Sequence, residues 1–301
     1  MSRDLLPTFE DLSAEQDAIY RLPLDRSSLV AGPPGSGKTV LALYRTQRLV
    51  KAEADHRLIT YGRVLKNYIG TAAQQLSIES SVQTYHSFLG TWWGKWSHTR
   101  LPQVKPFTYD WGLMLADIGK SESPPELMEH LIIDEAQDLP KEFFLILRLM
   151  SVGATVFADE NQRLDAVENS RIQDIVETLG ISGQDIHELT RNYRNTAQIH
   201  DLAVAMDPGV GIPAAPRPLQ KGPLPRLMRF DDDKQEVEHI VRLARNPSIA
   251  RLGVFVETNQ VRKRLLNQLK ARLTAKSDPR VQSYYYKDGG EADWNADGIY
   301  V

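Results

Sequence analysis

One octapeptide limits the folds open to this chain more than any other feature: Gly32-Pro33-Pro34-Gly35-Ser36-Gly37-Lys38-Thr39. It fits the spacing G-x-x-x-x-G-K-[ST]. The short apolar run Ser28-Leu29-Val30-Ala31 precedes it, and a helical pattern follows from Thr39 to about Ala52, with Leu41, Tyr44, Arg48 and Leu49 near a 3.6-residue period. Strand, glycine-rich loop and helix together give the spacing a mechanism. The glycines let the backbone curl until its N–H groups point inward at phosphate oxygens, and the helix N-terminus adds partial positive charge. Gly32, Pro33, Pro34, Gly35, Ser36, Gly37, Lys38 and Thr39 are therefore the expected wall of a nucleotide phosphate site. Lys38 would reach the β and γ phosphates and the Thr39 hydroxyl would coordinate Mg²⁺. The plain alternative is a glycine-rich turn that happens to contain a lysine.

A second element answers the first. Leu131-Ile132-Ile133-Asp134-Glu135 reads as an apolar strand that delivers two carboxylates to the C-terminal edge of a sheet, where ligands sit in such folds. Asp134 is expected in the Mg²⁺ shell and Glu135 as the group that polarises the attacking water. A strand ending in Asp-Glu also commonly caps a following helix. ATP and Mg²⁺ are the cofactors this pairing implies.

Further short apolar runs, Arg57–Tyr61 and Ala154–Ala158, alternate with helical stretches through Leu76 and over Lys141–Met150. Such alternation predicts a parallel sheet covered on both faces. Two segments interrupt it. Residues 90–125 carry Trp92, Trp93, Trp96 and Trp111 among Gly, Pro and Ser, and read as a small insertion whose tryptophans form its core or stack on bases. Residues 207–225, with prolines at 208, 213, 216, 218, 223 and 225, read as a semi-rigid linker. Beyond it strands are expected at Leu227–Phe230, Gly253–Glu257 and Val281–Tyr286, and helices at about 233–246 and 259–271. The expected domains are thus 1–206, the linker, and a partial second domain at 226–301.

The 301 residues suffice for two domains of roughly 100–200 residues. No apolar run approaches the roughly 18 residues of a membrane span, and Met1-Ser2-Arg3-Asp4 starts no signal peptide, which predicts a cytoplasmic protein. With no cysteine, disulfides and cysteine-ligated zinc are excluded. A net charge of −3 excludes a protein that coats nucleic acid by bulk charge, but a local basic groove stays open.

The run Asp134-Glu135-Ala136-Gln137-Asp138 resembles the second motif of superfamily 1 DNA helicases of the UvrD/Rep type, and other pieces follow in that family's order. Leu12-Ser13-Ala14-Glu15-Gln16 is similar to its N-terminal glutamine motif. Thr60-Tyr61 begins a stretch resembling motif Ia, and Thr84-Tyr85-His86-Ser87-Phe88 resembles motif Ib. Phe157-Ala158-Asp159-Glu160-Asn161-Gln162 resembles motif III, and Leu189-Thr190-Arg191-Asn192-Tyr193-Arg194 motif IV. The resemblance implies a RecA-like P-loop domain followed by the start of a second one. It implies that Gln16 reads adenine, Tyr193 stacks on it, Gln162 senses the γ-phosphate and Arg194 stabilises its charge. It also implies that Tyr61, Thr84 and His86 touch single-stranded DNA. Each residue has a plainer reading: Ser13 with Gln16 is also a helix capping box, Gln162 a surface polar group, Tyr193 a core residue, and the last three ordinary strand-end packing.

The sequence departs from the family in two places. Val167 stands near the position where the family places a DNA-stacking tryptophan, and motifs V and VI do not occur. The chain ends on Asp297-Gly298-Ile299-Tyr300-Val301, which reads as a strand, so a further segment or a protein partner is expected to complete the second domain. The function implied is an ATP-dependent helicase or single-stranded-DNA-dependent ATPase. The alternative is an ATP-binding switch module that acts with a partner.

Overall fold

The computed structural model describes residues 6–121, 130–162, 169–206, 216–283, 293 and 296–301. Two compact units meet in the sequence at Pro225 and Arg226. Residues 207–215 of the expected linker lie outside the described residues, as does Val167.

The first unit opens with helix α1 (Ala14–Tyr20), strand β1 (Ser28–Ala31) and helix α2 (Lys38–Lys51). Strand β2 (His56–Thr60), helix α3 (Arg63–Gln75), strand β3 (Val82–Thr84) and helix α4 (Tyr85–Ser97) follow. A small antiparallel hairpin, β4 (Gln103–Lys105) with β5 (Thr108–Tyr109), leads into α5 (Trp111–Lys120). Then come β6 (His130–Ile133), α6 (Lys141–Leu149), β7 (Ala154–Ala158), α7 (Ile172–Leu179), β8 (Ile186–Glu188) and α8 (Ala197–Met206). Six strands form one sheet in the order β3-β2-β6-β7-β1-β8, and every pairing in it is parallel. This is the α/β, RecA-like arrangement expected. The central strands are buried on both faces, which is why they read as unbroken apolar runs: Leu29, Val30, Leu58, Ile59, Leu131, Ile132, Ile133, Val156 and Phe157 are all fully buried.

That strand order fixes what lies beside what. Asp134, Asp159 and Gly32 directly follow the neighbouring strands β6, β7 and β1, so the two carboxylates and the glycine loop share one stretch of the sheet's C-terminal rim. Tyr61 and Tyr85 directly follow β2 and β3, further along the same rim.

The insertion differs from expectation. Its tryptophans do not form a separate small core. Helix α4 starts directly at the end of β3, so its apolar face lies on the sheet, and Trp92 and Trp93 join one cluster with Leu131, Phe143 and Phe144. Trp96 packs against that cluster, parallel to Trp92 with ring centroids 6.0 Å apart.

Arg45 on α2 is wholly buried. Its Nη1 donates to the carbonyls of Ile19, Tyr20 and Leu22 at 3.0, 3.2 and 3.1 Å, and so closes the C-terminal end of α1. Its Nη2 donates to Thr155 Oγ1 at 2.9 Å, and Thr155 Oγ1 lies 3.1 Å from His130 Nε2. The hydroxyl that accepts from Arg45 is left to donate to a neutral imidazole. Burial, with the Arg45 charge next, accordingly holds the His130 pKa down to about 4. Above the unfolded pKa of about 6.5 the neutral ring costs nothing. Below it the unfolded chain takes up a proton that the folded chain refuses, so stability falls as the pH drops towards 4, by about 2 kcal/mol at pH 5. In urea melts at pH 7.5 and 5, the parent midpoint should drop relative to that of His130→Gln. Parallel drops would show that another group carries the acid sensitivity.

The second unit holds α9 (Asp233–Ala244), β9 (Arg251–Gly253), α10 (Asn259–Arg272), β10 (Val281–Gln282) and β11 (Gly298–Tyr300), with a parallel sheet in the order β10-β11-β9. Val237, Ile240, Leu265, Leu269 and Ile299 form its core. The strand expected at Leu227–Phe230 does not form. Leu227 and Met228 are exposed, and among the described residues no strand pairs with this stretch, so an apolar run has neither a ladder nor a core to hold it. The strand expected at Gly253–Glu257 forms instead at Arg251–Gly253 and shares only Gly253 with it, and residues 284–286 of the third expected strand are outside the described residues.

Candidate nucleotide site

The glycine loop has the backbone its sequence demands. Gly35 and Gly37 have φ values of +79° and +94°, a region that penalises any side chain. A Cβ at Gly35 would sit 2.4 Å from Asn192 Oδ1, and one at Gly37 would sit 2.4 Å from Gln16 Nε2. Gly35 thus requires glycine for conformation and for space, since Arg194 Cβ would lie 2.8 Å away, and Gly37 requires it for conformation. Gly37 leads straight into α2, whose first residues are Lys38 and Thr39.

Lys38 is buried, and its Nζ donates to the carbonyls of Gly32 at 2.7 Å and Pro33 at 3.1 Å. It also lies 3.3 Å from Asp159 Oδ2, itself buried. Thr39 Oγ1 donates to Asp134 Oδ2 at 2.8 Å. Asp134 is fully buried. Burial first, and the neighbouring Glu135 charge second, push its pKa up to about 7, against the pull of the Thr39 hydrogen bond and the Lys38 charge. Two buried polar atoms here, Ser36 Oγ and Asp134 Oδ1, have no hydrogen-bond partner among the described residues. Buried polar atoms are normally satisfied, so the loop and the carboxylate fit a phosphate and a divalent cation. Thr39 and Asp134 are the residues that would hold Mg²⁺, which when bound neutralises phosphate charge.

Glu135 follows with φ +53°, a strained conformation for a residue with a Cβ, and its Oε2 accepts from Gln137 Nε2 at 2.8 Å. The Oε1 of Gln137 accepts from the Asp159 backbone N–H at 2.9 Å. Asp159 Oδ2 then accepts from Gln162 Nε2 at 2.7 Å. One polar chain therefore runs from Glu135 through Gln137 and Asp159 to Gln162 and Lys38. Gln137 and Asp159 escaped the sequence reading as functional residues, although both sit inside motif runs already singled out. What makes them matter is the adjacency of β6, β7 and β1.

Gln16 takes the plainer of its two readings in this structure. It completes the capping box, with Ser13 N donating to Oε1 at 3.1 Å and Ser13 Oγ accepting from Gln16 N at 3.3 Å. Its Nε2 also donates to the Ser36 carbonyl at 3.0 Å, which ties α1 to the glycine loop. Glu15, not anticipated, accepts from both the backbone and hydroxyl of Thr190 at 2.8 and 2.9 Å. The segment after β8 is thereby laid against the loop from its other side. Tyr193 N donates to the Gly35 carbonyl at 2.8 Å, and Asn192 Oδ1 accepts from the backbones of Arg194 and Asn195 at 3.0 Å each. Tyr193 and Arg194 themselves are exposed beside the loop.

The three residues proposed for DNA sit away from this cluster, near the ends of β2 and β3. Thr84 is buried and caps α4, accepting from Ser87 N at 3.2 Å. Tyr61 stacks near Tyr85 with ring centroids 6.4 Å apart and lies 6.1 Å from the His86 ring.

A glycine loop on β1, a carboxylate pair on β6 and an all-parallel sheet define a P-loop nucleoside triphosphatase domain. The chain belongs to the AAA domain family, whose model matches residues 15–168, just over half of its length. No curated protein sequence matches it. Similar solved structures include the Pif1 helicase from Candida albicans, at 17% identity and a TM-score of 0.48, over 85% of this chain and 54% of that one. Bacteroides Pif1 bound to single-stranded DNA matches at 14% identity and a TM-score of 0.40, over 88% of this chain and 57% of that one. Bacteroides Pif1 with ADP-AlF₃ and single-stranded DNA matches at 15% and 0.41, over 89% and 58%. The chain thus spans a little over half the length of these helicases. Among the described residues no helix is long and apolar enough to cross a membrane.

Proposed function

We propose that this chain is the ATP-hydrolysing part of a superfamily 1 helicase, a motor driven along single-stranded DNA in the cytoplasm. The observation that carries this reading is the joined polar chain from Glu135 to Lys38, which puts a base for water and a cation for phosphate on one network. In hydrolysis Lys38 leaves the Gly32 and Pro33 carbonyls for the β and γ phosphates. Glu135 accepts the proton of a water whose oxygen bonds to the γ phosphorus as the bond to the β–γ bridging oxygen breaks. Gln162 and Arg194 face the charge that spreads over the γ oxygens, and Gln16 and Tyr193 hold the base. The motif run from Gln16 to Arg194 supports placing the motor with the UvrD/Rep type, for which 3′→5′ movement is expected.

ATP turnover should rise when single-stranded DNA is added, and DNA affinity should fall steeply with salt while differing little between unrelated sequences. Turnover assayed with and without DNA, and binding titrated at several salt concentrations, check this. ATP binding with no response to DNA would favour the switch module. Movement in the opposite direction would remove the UvrD/Rep assignment and leave the motor.

A further inference from the structure

Beyond the nucleotide site, the most unusual surface is a group of rings near the ends of β2 and β3. Tyr85 and Tyr109 are buried and form its base. His86 lies on them, 4.7 Å from the Tyr85 ring and 5.6 Å from the Tyr109 ring, and its Nδ1 is 2.6 Å from the Tyr109 hydroxyl. Two rings face outward: Tyr61 is 39% exposed and Phe107 57% exposed. Phe107 packs edge-on to His86 with centroids 5.3 Å apart.

Three observations set Phe107 apart from a chance surface aromatic. It occupies the turn of the β4–β5 hairpin with φ +64°, a conformation costly for a residue with a bulky side chain and usual for glycine. Its ring remains in solvent, so the strain is not offset by burial. The surrounding segment is also free of acidic side chains up to Asp110, the nearest acid charge acting on Tyr85 being that of Glu142. Residues 80–109 hold no Asp or Glu and carry Lys95, Arg100 and Lys105, all exposed, within a chain of net charge −3. Outward rings beside a stretch free of acids suit a ligand with flat apolar faces strung on a polyanion. That is the chemistry of unpaired nucleic acid, where stacking on aromatics is tolerant of sequence.

We propose that Phe107 is a base-stacking residue, and that with Tyr61 and His86 it forms a platform for unpaired nucleotides on the rim of the sheet. This rests on the single-strand reading given above and adds to it a contact that none of the recognised motifs contains. The hairpin is held to α4 through the His86–Tyr109 contact, and Phe107 and Tyr61 both lie beside the His86 ring, at 5.3 and 6.1 Å. Lys105, two residues away, supplies charge for the backbone.

The test uses the full chain and two short oligonucleotides, one ordinary and one whose central residues lack bases but keep their phosphates. Phe107→Ala should weaken binding of the ordinary strand roughly 5- to 100-fold, the range expected from loss of one stacked base, and leave binding of the abasic strand unchanged. Phe107→Trp should restore the affinity. Circular dichroism and a thermal melt establish that both variants fold. Equal losses on both oligonucleotides, or parent-like binding by Phe107→Ala, would overturn the stacking role while leaving the motor reading intact. A parent chain that binds neither oligonucleotide would overturn both.

Discussion

Lys38→Ala should reduce ATP turnover by more than about 100-fold, because it removes a charged donor aimed where negative charge develops in the transition state. It should also weaken nucleotide binding, since the same ammonium serves the ground-state β and γ phosphates. The structure adds a second consequence. Lys38 Nζ is 3.3 Å from buried Asp159, so the variant removes an ammonium from beside a buried carboxylate and should melt at a lower temperature. Steady-state turnover, equilibrium binding of a fluorescent ATP analogue and a thermal melt separate the effects. Turnover within tenfold of the parent would remove Lys38 from the phosphate site.

Glu135→Gln should behave differently. The amide keeps the size and the polar contact with Gln137 but can no longer take a proton, so turnover should fall by roughly 10²- to 10⁴-fold while nucleotide affinity is kept. Single-turnover hydrolysis with saturating ATP is the direct measurement. Gln137→Ala should lower the same rate by less, because it frees the Glu135 carboxylate from its hydrogen bond without removing the base. A Glu135→Gln chain that hydrolyses ATP at the parent rate would assign the water to another group.

Much of this site is legible along the chain because its parts are local. Gly35 and Gly37 can be read from the octapeptide, since the positive φ both adopt suits glycine above all other residue types. The strands β1, β2, β6 and β7 can be read because a strand covered on both faces must be apolar throughout. The second unit was less legible. Leu227–Phe230 has the pattern of a strand but no neighbour to pair with, and a strand is a property of a ladder as much as of a sequence.

By itself the sequence determined the class of fold, the phosphate loop, the Asp134–Glu135 pair and the capping box at Ser13, all of which depend on residues a few positions apart. Tertiary structure alone decided which distant residues meet. Asp159 reaches Lys38 across 121 positions only because β7 lies between β6 and β1. Glu15 reaches Thr190 across 175 positions because α1 and the segment after β8 flank one loop. Phe107 comes to His86 because α4 starts where β3 ends and the hairpin folds back on it. Strand order and helix packing are set by burial summed over the whole core, and no window of the sequence contains that sum.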